Sequence, residues 1–258
     1  MTFWGGLRQT YIQSWRFMIA VPLIAVAVIG FEGLQHVVEW RAGLYVSPSA
    51  MRANAEDPGR LLAGLLKVGW ILIVIYWTSR YFASRSVRAT LAFDPAAIRK
   101  FAWFFLTSAA LSLVVILGPA ALPAMGAARH AAGLALALFE IASFPIGLLL
   151  TPWGVGAALG DARAGPVFGF RRARGSVLWG CAFALVAPLP LLIAHYALGY
   201  GAAGRSPAIA ISLLTVDAVL TGFLGVATAM SQAVLAERMA ERAGERLAIG
   251  GRASPPAP

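Results

Sequence analysis

Four charged side chains lie inside long apolar runs of the sequence, where an ionisable group is least expected. They are Glu32, Lys67, Glu140 and Asp217. Such a group costs several kcal/mol in a bilayer unless it is paired or hydrated, so it marks a candidate functional site. At about 1.5 Å of rise per residue, Glu140 and Asp217 fall roughly 12–15 Å below one surface. Lys67 falls roughly 10 Å below the same surface, and Glu32 lies near that level.

We therefore predict a polar site in the outer half of a helix bundle, where Glu140 and Asp217 bind a solute, ion or lipid. Lys67 would neutralise one carboxylate, and Glu32 would lie close by. The alternative is a packing role, in which Lys67 extends toward the head groups and Glu32 is interfacial. The other two carboxyl groups would then be protonated or hydrogen-bonded within the bundle. The site requires the four runs to be neighbours.

A second pattern combines Glu32, His36 and Glu39, which are spaced four and three residues apart. Residues at these spacings share one face of a helix. Two carboxylates and an imidazole there can hold a divalent cation or relay protons. The alternative is a set of solvated interfacial side chains. The remaining histidines, His130 and His195, map to the same outer side.

Motifs of conventional enzymes are absent from the sequence. There is no Walker loop, GxSxG elbow, HExxH or CxxC motif, and no connector is long enough to fold as a catalytic domain. We therefore expect no cofactor and favour a protein that is not an enzyme. An intramembrane enzyme acting on lipid, built from Glu140, Asp217 and the histidines, remains an alternative.

The composition explains how these charges come to lie in apolar runs. The chain has 258 residues, of which 59% are hydrophobic and 12% charged, and its mean hydropathy is +0.75. A soluble domain of this length could not bury so much apolar surface, and a span needs about 20 apolar residues. Six runs satisfy that length, at 17–38, 61–83, 101–125, 132–156, 177–198 and 208–230. The fold class we predict is all-α, a polytopic bundle of about six transmembrane helices.

Basic residues predict the orientation and the first partner. Lys and Arg side chains in the connectors number fifteen on the side of the termini and five on the other side. Cationic segments stay on the cytoplasmic side, so both termini are predicted to be cytoplasmic in a bacterial inner membrane. The net charge of +10 comes from arginines in short connectors. That placement favours anionic lipid head groups over nucleic acid as the partner. A homo-oligomer or a membrane complex is a further expectation.

Amphipathic cytoplasmic segments precede the odd-numbered spans. Trp4, Leu7, Tyr11 and Trp15 recur at helical spacing in the first segment. In the second segment, Asp94 and Pro95 are typical of an N-cap and a first helical residue. The third covers 167–174. Helix-breaking prolines concentrate in the fourth and fifth runs, where Pro145, Pro152, Pro188 and Pro190 occur.

We divide the chain into a six-span transmembrane domain at 1–236 and a cytoplasmic extension at 237–258. Glutamates and arginines at helical spacing predict that the last helix continues as a solvated helix through 231–248. We expect disorder at 252–258.

In organisation, the whole chain resembles a group of uncharacterised six-span bacterial inner-membrane proteins. These are similar to the membrane domain that precedes the catalytic barrel of some glycerophosphodiester phosphodiesterases. The resemblance implies a lipid-related or accessory role and transfers no functional residue. The leading hypothesis is a membrane protein that binds or moves a small solute, ion or lipid; the rival is a scaffold or assembly subunit.

Overall fold

The computed structural model describes residues 1–126 and 128–250, and all regular elements in these ranges are helical. The α-helices are α1 (Phe3–Ala20), α2 (Pro22–Arg41), α3 (Pro48–Ala53), α4 (Pro58–Ser84), α5 (Val87–Leu91), α6 (Pro95–Ala124), α7 (Arg129–Ala158), α8 (Pro166–Ala173), α9 (Val177–Val186), α10 (Leu189–Ala202) and α11 (Pro207–Arg242). Two short 3₁₀ turns, Leu44–Val46 and Arg174–Ser176, complete the regular structure of the described ranges.

Six helical segments in the described ranges are long and apolar enough to cross a membrane. They are α2, α4, α6, α7, the pair α9 and α10, and α11, which confirms the all-α, six-span prediction. Proline begins many of these helices, because it lacks the N–H that a first helical residue leaves unbonded. Asp94 accepts a hydrogen bond from the backbone N–H of Ala97. This contact confirms the predicted cap before Pro95.

The first span begins later than predicted. Residues 17–20 belong to α1, and Pro22 starts a new helix after Val21. A proline cannot donate the hydrogen bond that would continue α1. The amphipathic segment is therefore one turn longer, and the span is shifted along the chain to Pro22–Arg41.

Helix α11 is the central helix of the bundle, and it packs against α1, α2, α4, α7 and α10. Small residues let α2 approach it closely. A Cβ atom at Gly225 would lie only 3.0 Å from the side chain of Val28, so a larger residue would push the helices apart. This close packing holds the charged residues of α2 next to those of α11.

The end of α11 differs from the predicted solvated helix. The helix stops at Arg242, and its last turns bury Val234, Ala236 and Met239. The chain then folds back, and the backbone N–H of Gly250 donates to the carbonyl of Leu159 at 2.7 Å. An apolar stripe runs beside the glutamates and arginines of this segment. The charge pattern alone therefore did not predict that this end of the helix is buried. The predicted disordered end at 252–258 lies outside the described residues.

Both ends of the described chain lie at one face of the bundle. The amino group of Met1 forms an ion pair with Glu241 at 2.9 Å. We call this end of the bundle the terminal face and the other end the opposite face. An even number of spans requires this arrangement.

The fifth span is broken in its middle. α9 ends at Val186 and α10 begins at Leu189, with Pro188 between them. The carbonyl of Ala187, at this break, accepts a hydrogen bond of 2.7 Å from the hydroxyl of Tyr11 on α1. A neighbouring helix thus satisfies a backbone group at the break.

Candidate functional site

Three buried ionisable side chains meet between α2 and α11, near the opposite face. They are Glu32, His36 and Asp217, and one ligand atom from each lies within 4.8 Å of the other two. Nε2 of His36 is 3.0 Å from Oδ2 of Asp217 and 3.5 Å from Oε1 of Glu32. Both carboxylates are completely buried and His36 is 7% exposed. We call these three residues the central cluster.

The local sequence explains the two residues from α2. Glu32 and His36 are four residues apart, so they lie one above the other on the helix face that packs toward α11. Asp217 comes from the buried face of α11.

Lys67 on α4 binds the outer oxygen of Glu32. Its Nζ atom donates to Oε2 of Glu32 at 2.5 Å, and the side chain of Lys67 is only 14% exposed. The lysine thus lies inside the bundle as a counter-charge to Glu32. Because it occupies Oε2, the other carboxylate oxygen of Glu32 remains directed at His36.

The other nitrogen of His36 is held by Tyr45 and Glu39. The Tyr45 hydroxyl donates to Oε2 of Glu39 at 2.5 Å and lies 2.9 Å from Nδ1 of His36. The Glu39 carboxylate only accepts hydrogen bonds, so the phenol is the donor in this contact. Since that proton is given to Glu39, Nδ1 of His36 must be the donor to the Tyr45 oxygen. In the neutral imidazole, Nε2 then carries the free lone pair.

Glu39 is itself fixed by two further donors. Its Oε1 atom accepts from Nε2 of Gln35 at 2.8 Å and from Nε of Arg60 at 3.1 Å. Arg60 comes from the first turn of α4. Glu39 therefore orients His36 through its Nδ1 atom, and the negative charge of Glu39 is compensated by Arg60.

Asp217 is oriented by His195 on α10. Nδ1 of His195 lies 2.8 Å from Oδ1 of Asp217 and 3.1 Å from the hydroxyl oxygen of Thr221. A carboxylate only accepts hydrogen bonds, so Nδ1 of His195 carries the proton. Each member of the central cluster thus has its outer atom bound by a neighbour.

The inner atoms of the central cluster are unsatisfied. Within the described ranges, Oε1 of Glu32, Nε2 of His36 and Oδ2 of Asp217 are buried and have no hydrogen-bond partner. The carboxylate oxygens are close to Nε2 but do not lie in the direction in which it would donate. Buried polar atoms are normally paired, so three such atoms facing one another require an explanation.

A polar cavity of about 190 Å³ leads to the central cluster. The buried residues of the cluster lie among its lining, together with Arg52 from the connector after α2 and Tyr200 on α10. Arg52 is exposed, and Tyr200 is 59% exposed. The cavity thus connects exposed side chains at the opposite face to buried carboxylates.

An apolar groove of about 510 Å³ lies between α2 and α11. Val37, Trp40 and Val219 line it and are partly exposed on the outside of the bundle. His36 lines both this groove and the polar cavity. The histidine therefore stands between an apolar and a polar space.

The structure does not bring Glu140 to the other predicted site residues. Glu140 is exposed on α7 and is not part of the cavity lining. A residue count gives depth along a span but not the direction around the bundle, so equal depth did not imply a common site. His130 is also exposed, at the start of α7.

The site also contains three residues that the sequence does not predict: Tyr45, Arg60 and Thr221. Tyr45 and Arg60 lie in or next to the connector between α2 and α4, where polar residues are ordinary. Thr221 is one helical turn from Asp217, and that spacing is a signal that could have been used. His195 was noted for its depth, but its pairing with Asp217 follows only from the contact of α10 with α11.

No protein family, curated protein or solved structure matches this chain.

Proposed function

We propose that this multi-pass membrane protein binds or moves a small solute or ion at the central cluster, which is reached through the polar cavity. The observation that carries the proposal is the continuity of that cavity from exposed Arg52 to buried Asp217. A charge network that served only to hold helices together would need no path to its centre.

The chemistry of the cavity supports a small polar or cationic ligand. Two buried carboxylates and an imidazole line its inner end. Charged groups inside a membrane commonly mark ion or substrate pathways. The predicted cytoplasmic position of the termini puts the mouth of the cavity on the outer side of the membrane.

The test is access of water to the cavity wall. Gly199 on α10 lines the cavity, and apart from its own helix backbone and chain neighbours, no atom of the described residues lies within 4 Å of a Cβ atom there. We would place a cysteine at Gly199 in a Cys181→Ala background and apply a membrane-impermeant thiol reagent from the outer side. Rapid labelling is expected.

Two controls make the result interpretable. Gly69 on α4 is also half-buried with no atom within 4 Å of a Cβ, but it does not line the cavity. Gly69→Cys should be protected, and Arg205→Cys in an exposed connector should be labelled. Protection of Gly199→Cys alongside labelled Arg205→Cys would overturn the proposal and favour a scaffold.

A second candidate function is an intramembrane enzyme that acts on lipid. It is favoured by the position of His36, which lines both the apolar groove and the polar cavity. An acyl chain in the groove would bring the polar part of a lipid to His36 and Asp217. The purified protein in phospholipid vesicles should then release a water-soluble head group or a fatty acid. His36→Gln should abolish that release and Glu140→Gln should not; no release from the unchanged protein would remove this candidate.

A further inference from the structure

We infer that Glu32, His36 and Asp217 are the protein ligands of a divalent transition-metal ion, with a further coordination position open to the polar cavity. The inference deepens the proposed function and rests on it, because the ion would enter through that cavity. The ligand atoms assigned are Oε1 of Glu32, Nε2 of His36 and Oδ2 of Asp217.

The distances between these atoms fit a metal ion. Ligand atoms about 2.0–2.1 Å from a tetrahedral Zn²⁺ lie about 3.3 Å from one another. The two distances from Nε2 of His36 are 3.0 and 3.5 Å. All three atoms lie within 4.8 Å of one another, so a movement of roughly an ångström in one carboxylate completes the geometry.

The orientation of each ligand is that of a metal centre. A metal-binding histidine usually donates its other ring N–H to a carboxylate or another acceptor, which fixes the ring and its tautomer. Nδ1 of His36 meets Tyr45 and Glu39 in this way. The outer oxygens of Glu32 and Asp217 are bound by Lys67 and His195. The free atom of every ligand therefore points inward.

The strongest indication of a metal site is that the three inner atoms of the central cluster are unpaired in the described ranges. They are buried, and no described residue gives them a hydrogen bond. Two carboxylate oxygens facing an imidazole lone pair repel one another unless a cation lies between them. A proton on Nε2 would form ion pairs with both oxygens, at 3.0 and 3.5 Å, but without the alignment of a hydrogen bond, whereas a metal ion would satisfy all three atoms.

The donor set indicates the class of ion. One imidazole nitrogen and two carboxylate oxygens suit Zn²⁺, Mn²⁺ or Fe²⁺. Mg²⁺ and Ca²⁺ prefer oxygen ligands alone, and Cu⁺ prefers sulfur. Three protein ligands with one open position are typical of sites where an ion meets a substrate or is exchanged.

The first test is metal binding by the purified full-length chain in detergent. After removal of bound metal with a chelator, Zn²⁺ binding is measured by equilibrium dialysis. We expect one tightly bound Zn²⁺ per chain. Asp217→Asn and Glu32→Gln should weaken binding at least about tenfold, since even orienting partners of ligands contribute about 10–100-fold. Glu140→Gln and His130→Gln are the matched controls, because they change an exposed carboxylate and an exposed histidine.

A second variant distinguishes the loss of a metal ligand from misfolding of the protein. His36→Cys in the Cys181→Ala background replaces the imidazole by a thiolate, which also binds divalent metals. Co²⁺ added to this variant should give an intense sulfur-to-cobalt charge-transfer absorption that the protein with His36 lacks. Absence of that band, with no Zn²⁺ bound by the unchanged chain, overturns the metal site.

The two proposals fail in different ways. Labelling of Gly199→Cys without any Zn²⁺ or Co²⁺ binding would overturn the metal inference and leave the proposed function. Protection of Gly199→Cys would overturn the proposed function even if metal binds. Labelling together with loss of metal binding in Asp217→Asn supports both.

Discussion

Nζ of Lys67 lies 2.5 Å from Oε2 of Glu32, and the carboxylate that it meets is completely buried. The two residues come from neighbouring spans, α4 and α2. Each charge is tolerable at this depth because the other compensates it, so neither can be removed alone without leaving an uncompensated charge.

Replacing Lys67 by Gln is expected to lower the free energy of unfolding by about 3–5 kcal/mol, since it leaves the buried Glu32 charge uncompensated. Unfolding in a denaturing detergent, followed by circular dichroism, measures this change. The double variant Lys67→Gln with Glu32→Gln should recover much of the loss, because it removes both charges. Two losses that simply add would show that the pair is not coupled.

Tyr45→Phe should weaken Zn²⁺ binding by about 10–100-fold, as expected when a partner that orients a ligand is lost. The aromatic ring stays, so packing against the connector is kept while Nδ1 of His36 loses its nearest oxygen. Equilibrium dialysis measures the affinity. Tyr200→Phe is the control, because Tyr200 lines the same cavity and is largely exposed. Equal affinities for both variants would remove Tyr45 from the site.

Glu140→Gln should change the free energy of unfolding by no more than about 0.5 kcal/mol, as is usual for an exposed position. Asp217→Asn should cost clearly more, about 1–3 kcal/mol, because the buried hydrogen bond from His195 loses its charge assistance and an amide NH₂ group is left among buried polar atoms. The same denaturing-detergent titration compares the two. The sequence predicts both carboxylates at one depth, so equal costs would contradict the different environments that the structure gives them.

Acid should loosen the segment after α11 at the terminal face. There, Arg163 binds Asp161 and Glu245, and Arg172 also binds Glu245. Burial opposes ionisation of both carboxyl groups, but hydrogen bonds from the arginines outweigh it and lower the pKa of Asp161 and of Glu245. Groups with a lowered folded pKa add stability above their unfolded values of about 3.9 and 4.3. That stability is lost as the pH falls through the folded values.

We therefore expect the melting temperature in detergent to fall between about pH 5 and pH 3. These ion pairs are partly exposed, so each contributes about 1 kcal/mol at most. That corresponds to about 2–4 °C for a chain of this size. Glu245→Gln should show a smaller fall over this range. An unchanged acid response in that variant would show that other carboxyl groups cause it.

The membrane fold was predictable because span length and hydropathy are properties of short segments. Glu32, His36 and Glu39 were also predictable as one group, since helix geometry fixes their spacing. The pairing of Lys67 with Glu32 was expected only in general terms, because the sequence did not show that α2 and α4 are neighbours.

The rest of the site depends on contacts between distant segments. Tyr45 reaches His36 because the connector after α2 folds back over it, and His195 reaches Asp217 because α10 packs on α11. Glu140 shows the opposite case, since a residue count puts it at the level of the cluster but its side chain is exposed on α7 and does not line the cavity. Rotational position around a bundle is set by packing, which a residue count does not contain.

The break at Pro188 divides the fifth span into two shorter helices, α9 and α10. No continuous ladder of helical hydrogen bonds joins α9 to α10 across it. α10 carries His195 and Tyr200, which line the polar cavity, while α9 packs with α7 and α11. A tilt of α10 therefore need not be transmitted to α9. The helix that supplies His195 to Asp217 is therefore tied to the terminal half of the bundle by fewer backbone hydrogen bonds than an unbroken span would be.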